Sequence, residues 1–260
     1  MGAQLEAAAT SVEKAVDLLF HLHEVAEPQG VTAIGRALGL PKSSAHRMLR
    51  SLGRRGLVER DERGRYRAGI GLLALGLGIV DREPIAAAAR PVLEDRAQAL
   101  GETFFLVVAR AGELLVLDKA EGTGFLRAAP QVGSRVPVHA TAAGKLYLAF
   151  APDQVTVAPR LGESSVLPSF TRQTTVDPEA LDAEVRRVRV RGWASNRDEW
   201  ISGLSVLAAP VLRRGRVAGV VALAAASANF EALGGERLSE NLSLAAGTIA
   251  DRLTGGEERP

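Results

Sequence analysis

The chain has 260 residues, 47% of them hydrophobic and 24% charged, with a formal net charge of +2 and no cysteine. That length suits one large or two modest folded domains, and the lack of cysteine excludes disulfides, thiolate metal sites and a cysteine nucleophile. The charge is uneven: residues 31–68 hold ten Lys or Arg against three acids, a net of +7, whereas residues 69–260 carry a net of −1. A local basic patch of this kind is the electrostatic footprint of a polyanion binder. Arginine outnumbers lysine by 28 to 4, which reads as codon composition before it reads as function.

The opening stretch MGAQLEAAATSVEK has no charged segment leading into an apolar core, so no export signal is visible. The longest apolar run, residues 70–80, falls short of the roughly 20 residues needed to cross a bilayer. The expectation is a cytoplasmic protein with no membrane partner.

Thr10 and Glu13 have the spacing of a capping box, and Val12, Ala15, Val16, Leu19 and Leu22 continue it as an amphipathic helix to about Ala26. Glu27-Pro28-Gln29-Gly30 ends that helix, and a short one follows over 31–38 with Ile34 and Leu38 inward. After Gly39-Leu40-Pro41 comes a third, in which Ala45, Met48, Leu49 and Leu52 share one face while Ser43, Arg47, Arg50 and Arg54 line the other. Pro41 suits its first turn. A stripe of arginines and hydroxyls is by itself often a solvated face, but two short helices joined at a glycine make a helix-turn-helix. Gly35 supplies the small residue where the helices cross. Residues 57–60 and 65–67, joined by Asp61-Glu62-Arg63-Gly64, read as a basic β-hairpin, and a basic hairpin directly after a helix-turn-helix is a wing.

Residues 70–82 are apolar nearly all round, which predicts a helix buried against another chain. A second helix starts near Pro84, carries Val92, Leu93 and Leu100, and stops at Gly101. Residues 103–109 and 113–119 then form a hairpin, 141–150 and 178–191 are helical, 204–212 and 216–225 form a second hairpin, and a last helix spans about 236–253. The tail 255–260 is of low complexity. The expected fold is α+β, organised as a winged helix-turn-helix domain over 1–68, a connecting and dimerisation helix over 69–84, and an effector-binding and oligomerisation domain over 85–260.

In the basic segment, Arg47 and Arg50 can fork onto guanine edges, while Ser43 and His46 can donate to bases. Thr32, Arg36 and Ser44 can hold phosphates, Lys42 lies on the same surface, and Arg63 and Arg65 of the wing would reach the neighbouring groove or backbone. The segment HATAAGK invites a phosphate-loop reading, but the motif needs glycine at His139 and Ser or Thr at Leu146, so that reading fails. A helix starting near Thr141 is the better reading. Its free N–H groups can receive a carboxylate, with Ala142, Ala143 and Gly144 small enough to let a ligand reach the backbone; packing of helix on sheet would ask for the same small residues.

The wing and helix-turn-helix, the connecting helix, PVHATAAGK at 137–145 and GWASNRDEWISGLSVLAAPVLRRGRVAGVVAL at 192–223 resemble the isocitrate-lyase-regulator (IclR) family of bacterial transcription factors. The resemblance runs from about Thr10 to Leu253. It implies a GAF- and PAS-like effector domain, homodimers or dimers of dimers, and control of catabolic operons through double-stranded operator DNA by small organic acids or aromatic compounds. It also implies a pocket wall from the 196–202 loop, including Asn196 and Ser202, with Leu204, Val206, Ala222 and Ala224, contributions from Phe105 and Val107, and His139 beside it. The chain departs from the family where Val206 replaces a frequent Ser or Cys, where Ala222 and Ala224 replace serines, and where Asn196 stands near a usual acid. So apolar a wall fits an aromatic or largely apolar acid better than a small polar one; the alternatives are a small polar aliphatic acid, or an architectural DNA binder with no effector.

An enzyme is not expected. His21, His23 and His46 lie in the DNA-binding half, Asp198 and Glu199 read as solvated loop charges, and His139 has no paired carboxylate nearby in sequence. No His or carboxylate cluster has metal-ligand spacing, and no cofactor is implied. Repressor is the expectation, following the family; the direction of the response is open in the sequence.

Overall fold

The computed structural model describes residues 10–25, 27–80, 82–124, 130–156, 167–230 and 235–255. Ala26, Asp81 and residues 256–260, to which the sequence reading assigned helix ends and a tail, lie outside these. The chain divides into two compact units between Arg82 and Glu83.

In the first unit, α1 (Ser11–Glu24) opens with the expected capping box: Glu13 N–H donates to Thr10 Oγ1 at 3.2 Å, and Thr10 N–H donates to Glu13 Oε2 at 2.6 Å. It leads to α2 (Val31–Ala37), α3 (Lys42–Gly53), a hairpin of β1 (Val58–Arg60) and β2 (Tyr66–Ala68), and α4 (Ile70–Val80). Leu18, Leu22, Ile34, Leu49, Val58 and Tyr66 close one small core. Gly35 is required by backbone more than by helix crossing, since a Cβ there would lie 2.9 Å from the Leu40 carbonyl oxygen. Pro41 sits one position earlier than expected: it is the extended N-cap, and the helix begins at Lys42. A bridge between Gln29 and Tyr66, with hydrogen bonds of 2.8 and 2.7 Å, ties the segment before α2 to the wing.

The second unit runs α5 (Pro84–Leu100), β3 (Thr103–Arg110), β4 (Glu113–Ala120), β5 (Arg135–Val136), α6 (Ala142–Phe150), a 3-10 turn (Pro152–Gln154), α7 (Pro178–Arg191), β6 (Ala194–Arg197), β7 (Leu204–Arg213), β8 (Arg216–Ala226), α8 (Ser227–Phe230) and α9 (Gly235–Gly255). Its strands pair antiparallel in the order β5-β4-β3-β8-β7-β6. The four longer strands and most helices match the sequence reading. β5, β6 and α8 are additions, each too short to show a period.

Both faces of the sheet are covered. Helices α5 and α9 bury Leu93, Leu242 and Ile249 against Leu106 and Leu223, while α6 and α7 bury Leu146, Tyr147 and Val188 against Val107 and Val220. Central β3 is therefore buried at every position from Thr103 to Ala109, whereas β4, one strand nearer the edge, alternates. Both long hairpins turn through two residues of positive φ, Ala111-Gly112 and Arg214-Gly215, the primed geometry that matches strand twist.

Tyr147 binds the two layers polarly as well as by packing. Its hydroxyl, fully buried, accepts the N–H of Ala109 at 3.0 Å, and burial pushes its phenol up from 10.0 to about 12. Tyr147→Phe strands that buried N–H and is expected to cost about 1–3 kcal/mol at neutral pH, read by urea denaturation. Because the unfolded phenol ionises first, wild-type stability falls as pH rises from 10.0 towards 12. The advantage over the variant should shrink across that window; a constant gap would refute the assignment.

Candidate DNA interface and ligand cavity

On α3 the buried face is Ala45 and Leu49, with Met48 and Leu52 partly covered. Ser43, His46, Arg47 and Arg50 all stand exposed on the other side, as do Lys42 and, on α2, Thr32 and Arg36; Ser44 is half-buried. The helix-turn-helix thus holds the predicted stripe outward on one rigid surface. Beside it, His46, Arg50, Arg54, Arg60 and Tyr66 line an open groove of about 520 Å³ between α3 and the hairpin. Arg60 was not among the predicted contacts; its guanidinium lies 5.6 Å from the Tyr66 ring centre and donates to Gly64 O at 3.2 Å.

In the wing, Arg63 is exposed at the tip. Arg65, its side chain 39% exposed, also works within the turn. Asp61 accepts its backbone N–H at 2.8 Å and its Nε–H at 2.9 Å, which pins the turn, and the backbone bond holds the Asp61 carboxyl below its usual range. Glu59 accepts the Ile70 N–H at 2.9 Å and Arg67 at 3.0 Å, so the first turn of α4 is fastened to β1. Along α4 itself Ile70, Leu73, Leu75, Leu77 and Ile79 are each more than half exposed.

The second unit holds a half-open, almost wholly apolar cavity of about 40 Å³. Phe105 and Val107 of β3, Val116 of β4, Leu204 and Val206 of β7 and Ala222 of β8 form its sheet wall. Thr141, Ala142 and Ala143 open α6 above them, and Pro130, Val136, Asn196 and Trp200 complete it. Trp200 falls within the 196–202 loop expected to form the wall, whereas Val116, Val136 and Pro130 were not foreseen. Val116 was legible in principle, since it pairs directly with Val107; the other two come from β5 and from the connection before it, which carry no period.

Four expected lining residues lie elsewhere. Gly144 serves a crossing of backbones, since a Cβ there would fall 1.8 Å from the Val138 carbonyl oxygen. Ala224 is buried off the cavity wall, and Ser202 is exposed. His139 faces an adjoining cavity of about 270 Å³; its Nε2–H donates to Pro168 O at 2.8 Å and its ring stacks on Phe170.

At the cavity's upper edge, Thr141 Oγ1 accepts the Gly144 N–H at 3.1 Å and donates to Pro137 O at 2.7 Å. The N–H groups of Ala142 and Ala143 have no hydrogen-bond partner among the described residues, as expected for a first turn. Asn196, 2% exposed, donates Nδ2–H to Ala140 O at 3.0 Å, while its Oδ1 accepts nothing.

Glu199 is a correction: far from solvated, its side chain is 12% exposed and its Oε1 accepts Lys145 Nζ at 2.5 Å. Lys145, 5% exposed, also donates to Ser195 O at 3.1 Å. Burial pushes the Glu199 carboxyl up, against the pull of Lys145. Lys145→Met would leave that carboxylate and carbonyl buried without a partner, at an expected cost of about 3–5 kcal/mol in chemical denaturation. A loss below about 1 kcal/mol would show that the pair does not hold the fold.

A winged helix-turn-helix with a basic outward stripe, in one chain with an α+β unit enclosing an apolar cavity, defines a DNA-binding regulator with a sensory domain. Two family descriptions agree with that architecture: the IclR helix-turn-helix domain matches residues 11–62, and the bacterial transcriptional regulator IclR C-terminal domain matches residues 77–251. The chain belongs to the IclR family of bacterial transcriptional regulators, a family of ligand-responsive DNA-binding proteins and not of enzymes. It is 34% identical to the probable transcriptional regulator SauR of Cupriavidus necator over 198 residues, 75% of this chain and 78% of that one. It is 34% identical to the glycerol operon regulatory protein of Streptomyces griseus over 213 residues, 80% and 81% of the two chains. Among solved structures, an IclR homologue from Microbacterium hydrocarbonoxydans complexed with 4-hydroxybenzoate superposes with a TM-score of 0.76 at 26% identity, over 95% of this chain and all of that one. No helix among the described residues is long and apolar enough to cross a membrane.

Proposed function

We propose that this chain is a cytoplasmic, homodimeric repressor of a catabolic operon, released or engaged by a small organic acid of aromatic or largely apolar character. The observation that carries this reading is the cavity itself: an apolar chamber with two free N–H groups of a helix N-terminus at its rim, which suits a carboxylate on an apolar body. The 4-hydroxybenzoate held by the Microbacterium hydrocarbonoxydans protein supports an acid of that class. At about 40 Å³ the cavity is smaller than the ~150 Å³ that admits a benzene ring, so an aromatic acid must displace part of the wall. A ligand that opens the cavity thereby binds one arrangement better than another, which is what a switch requires. The same tightness favours a second reading, in which a short aliphatic acid enters with little rearrangement.

On the DNA side, Ser43, His46, Arg47 and Arg50 read base edges, Thr32, Arg36, Lys42 and Ser44 hold phosphates, and Arg63 reaches from the wing. The exposed apolar length of α4 is covered by a second copy, which sets two α3 helices about 34 Å apart for successive major grooves; two such dimers then associate. Arg47→Ala is expected to weaken operator binding by about 1–3 kcal/mol and relax one base preference; unchanged affinity and preference would remove Arg47 from the reading role.

Fluorescence anisotropy of the protein on DNA from upstream of its own gene, against a scrambled duplex, tests the whole reading. Selective binding that an aromatic acid shifts at least tenfold is the expected result; a shift by short aliphatic acids alone selects the second reading. Equal binding to both duplexes, unmoved by any acid, would leave an architectural DNA binder.

A further inference from the structure

Resting on the reading of this cavity as the effector site, we infer that the effector carries a hydroxyl on the carbon next to its carboxylate. The argument starts from an atom the fold leaves unsatisfied. Asn196 is 2% exposed and belongs to the cavity wall. Its amide cannot be turned round, because Nδ2–H donates to the Ala140 carbonyl at 3.0 Å and the reversed amide would set two acceptors face to face. That fixes Oδ1 as the atom with no partner, a buried acceptor on a residue of the cavity wall. Such a group costs free energy until a donor arrives. The neighbouring hydroxyl, Thr141, cannot supply one, since its single proton goes to Pro137 O.

The position of this acceptor sets the chemistry. Asn196 is hydrogen-bonded to the residue immediately before the N-cap of α6, which sets its amide at the same end of that helix as the two free N–H groups that would receive the carboxylate. A plain carboxylate there would set its own negative oxygens against Oδ1. A hydroxyl on the adjacent carbon resolves the conflict by donating to Oδ1 while the carboxylate takes the N–H groups of Ala142 and Ala143. An ammonium at that carbon is disfavoured, because no acidic side chain lines the cavity to compensate a buried cation. A hydroxyl at the far end of the effector is too distant to serve.

The test compares matched acids by isothermal calorimetry on the full-length protein: mandelate with phenylacetate, lactate with propionate, and 4-hydroxyphenylacetate with phenylacetate. In whichever size class binds, the 2-hydroxy acid is expected to bind about ten- to a hundredfold tighter than its parent, and the ring hydroxyl to add nothing comparable. Asn196→Ala, where it folds, should erase that ratio; the ligand pairs decide without it. If parent acids bind and shift DNA affinity while their 2-hydroxy partners gain nothing, this inference falls and the effector site stands. Binding of no acid at all, with DNA affinity unmoved, overturns both.

Discussion

One buried ammonium organises the sensory unit. Lys145 Nζ projects from α6 and holds Ser195 O and the Glu199 carboxylate, the backbone and side chain of the very segment that carries Asn196 and Trp200. The Glu199 carbonyl is held in turn by Thr174 Oγ1 at 2.6 Å, and Thr171 Oγ1 donates to the Asp198 carbonyl. Burying such a pair is expensive unless every partner is in place, so the loop after β6 has little freedom to leave α6. The cavity exists because these two elements are clamped at one end while side chains of β3, β7 and β8 floor the other.

The same clamp explains the run HATAAGK. Its glycine and lysine have no phosphate to serve: Gly144 lets α6 cross the Val138 carbonyl, and Lys145 turns from the cavity towards Glu199. Beside it lies the mouth of the helix, where the Ala142 and Ala143 N–H groups and the buried Asn196 amide oxygen are the unpartnered polar groups among the described residues of an otherwise apolar lining. Few polar groups in an apolar chamber fix the orientation of what enters and discriminate among candidates.

In the DNA-binding unit, charge is divided between structure and surface. Asp61 takes Arg65, and Glu59 takes Arg67 and the first N–H of α4; Arg47, Arg50 and Arg63 stay exposed. Glu59 is a mechanical joint as much as an ion pair, since a movement of α4 must either carry the wing with it or break that carboxylate's bond to Ile70 N–H. Exposed pairs of this kind are individually weak.

Local rules in the sequence determined the helix-turn-helix, the wing, the two long hairpins and the amphipathic helices, because capping boxes, paired turn residues and apolar periods act within a few residues. Family likeness carried the reading further, to the wall formed by Leu204, Val206 and Ala222. Only the tertiary structure decided that His139 faces another cavity, that Ser202 points to water, that Arg65 pairs with Asp61, and that Glu199 is buried against a lysine 54 positions away. Those outcomes depend on which distant backbone comes alongside, and on whether a charge finds its partner before it finds water; neither is encoded in any short window of residues.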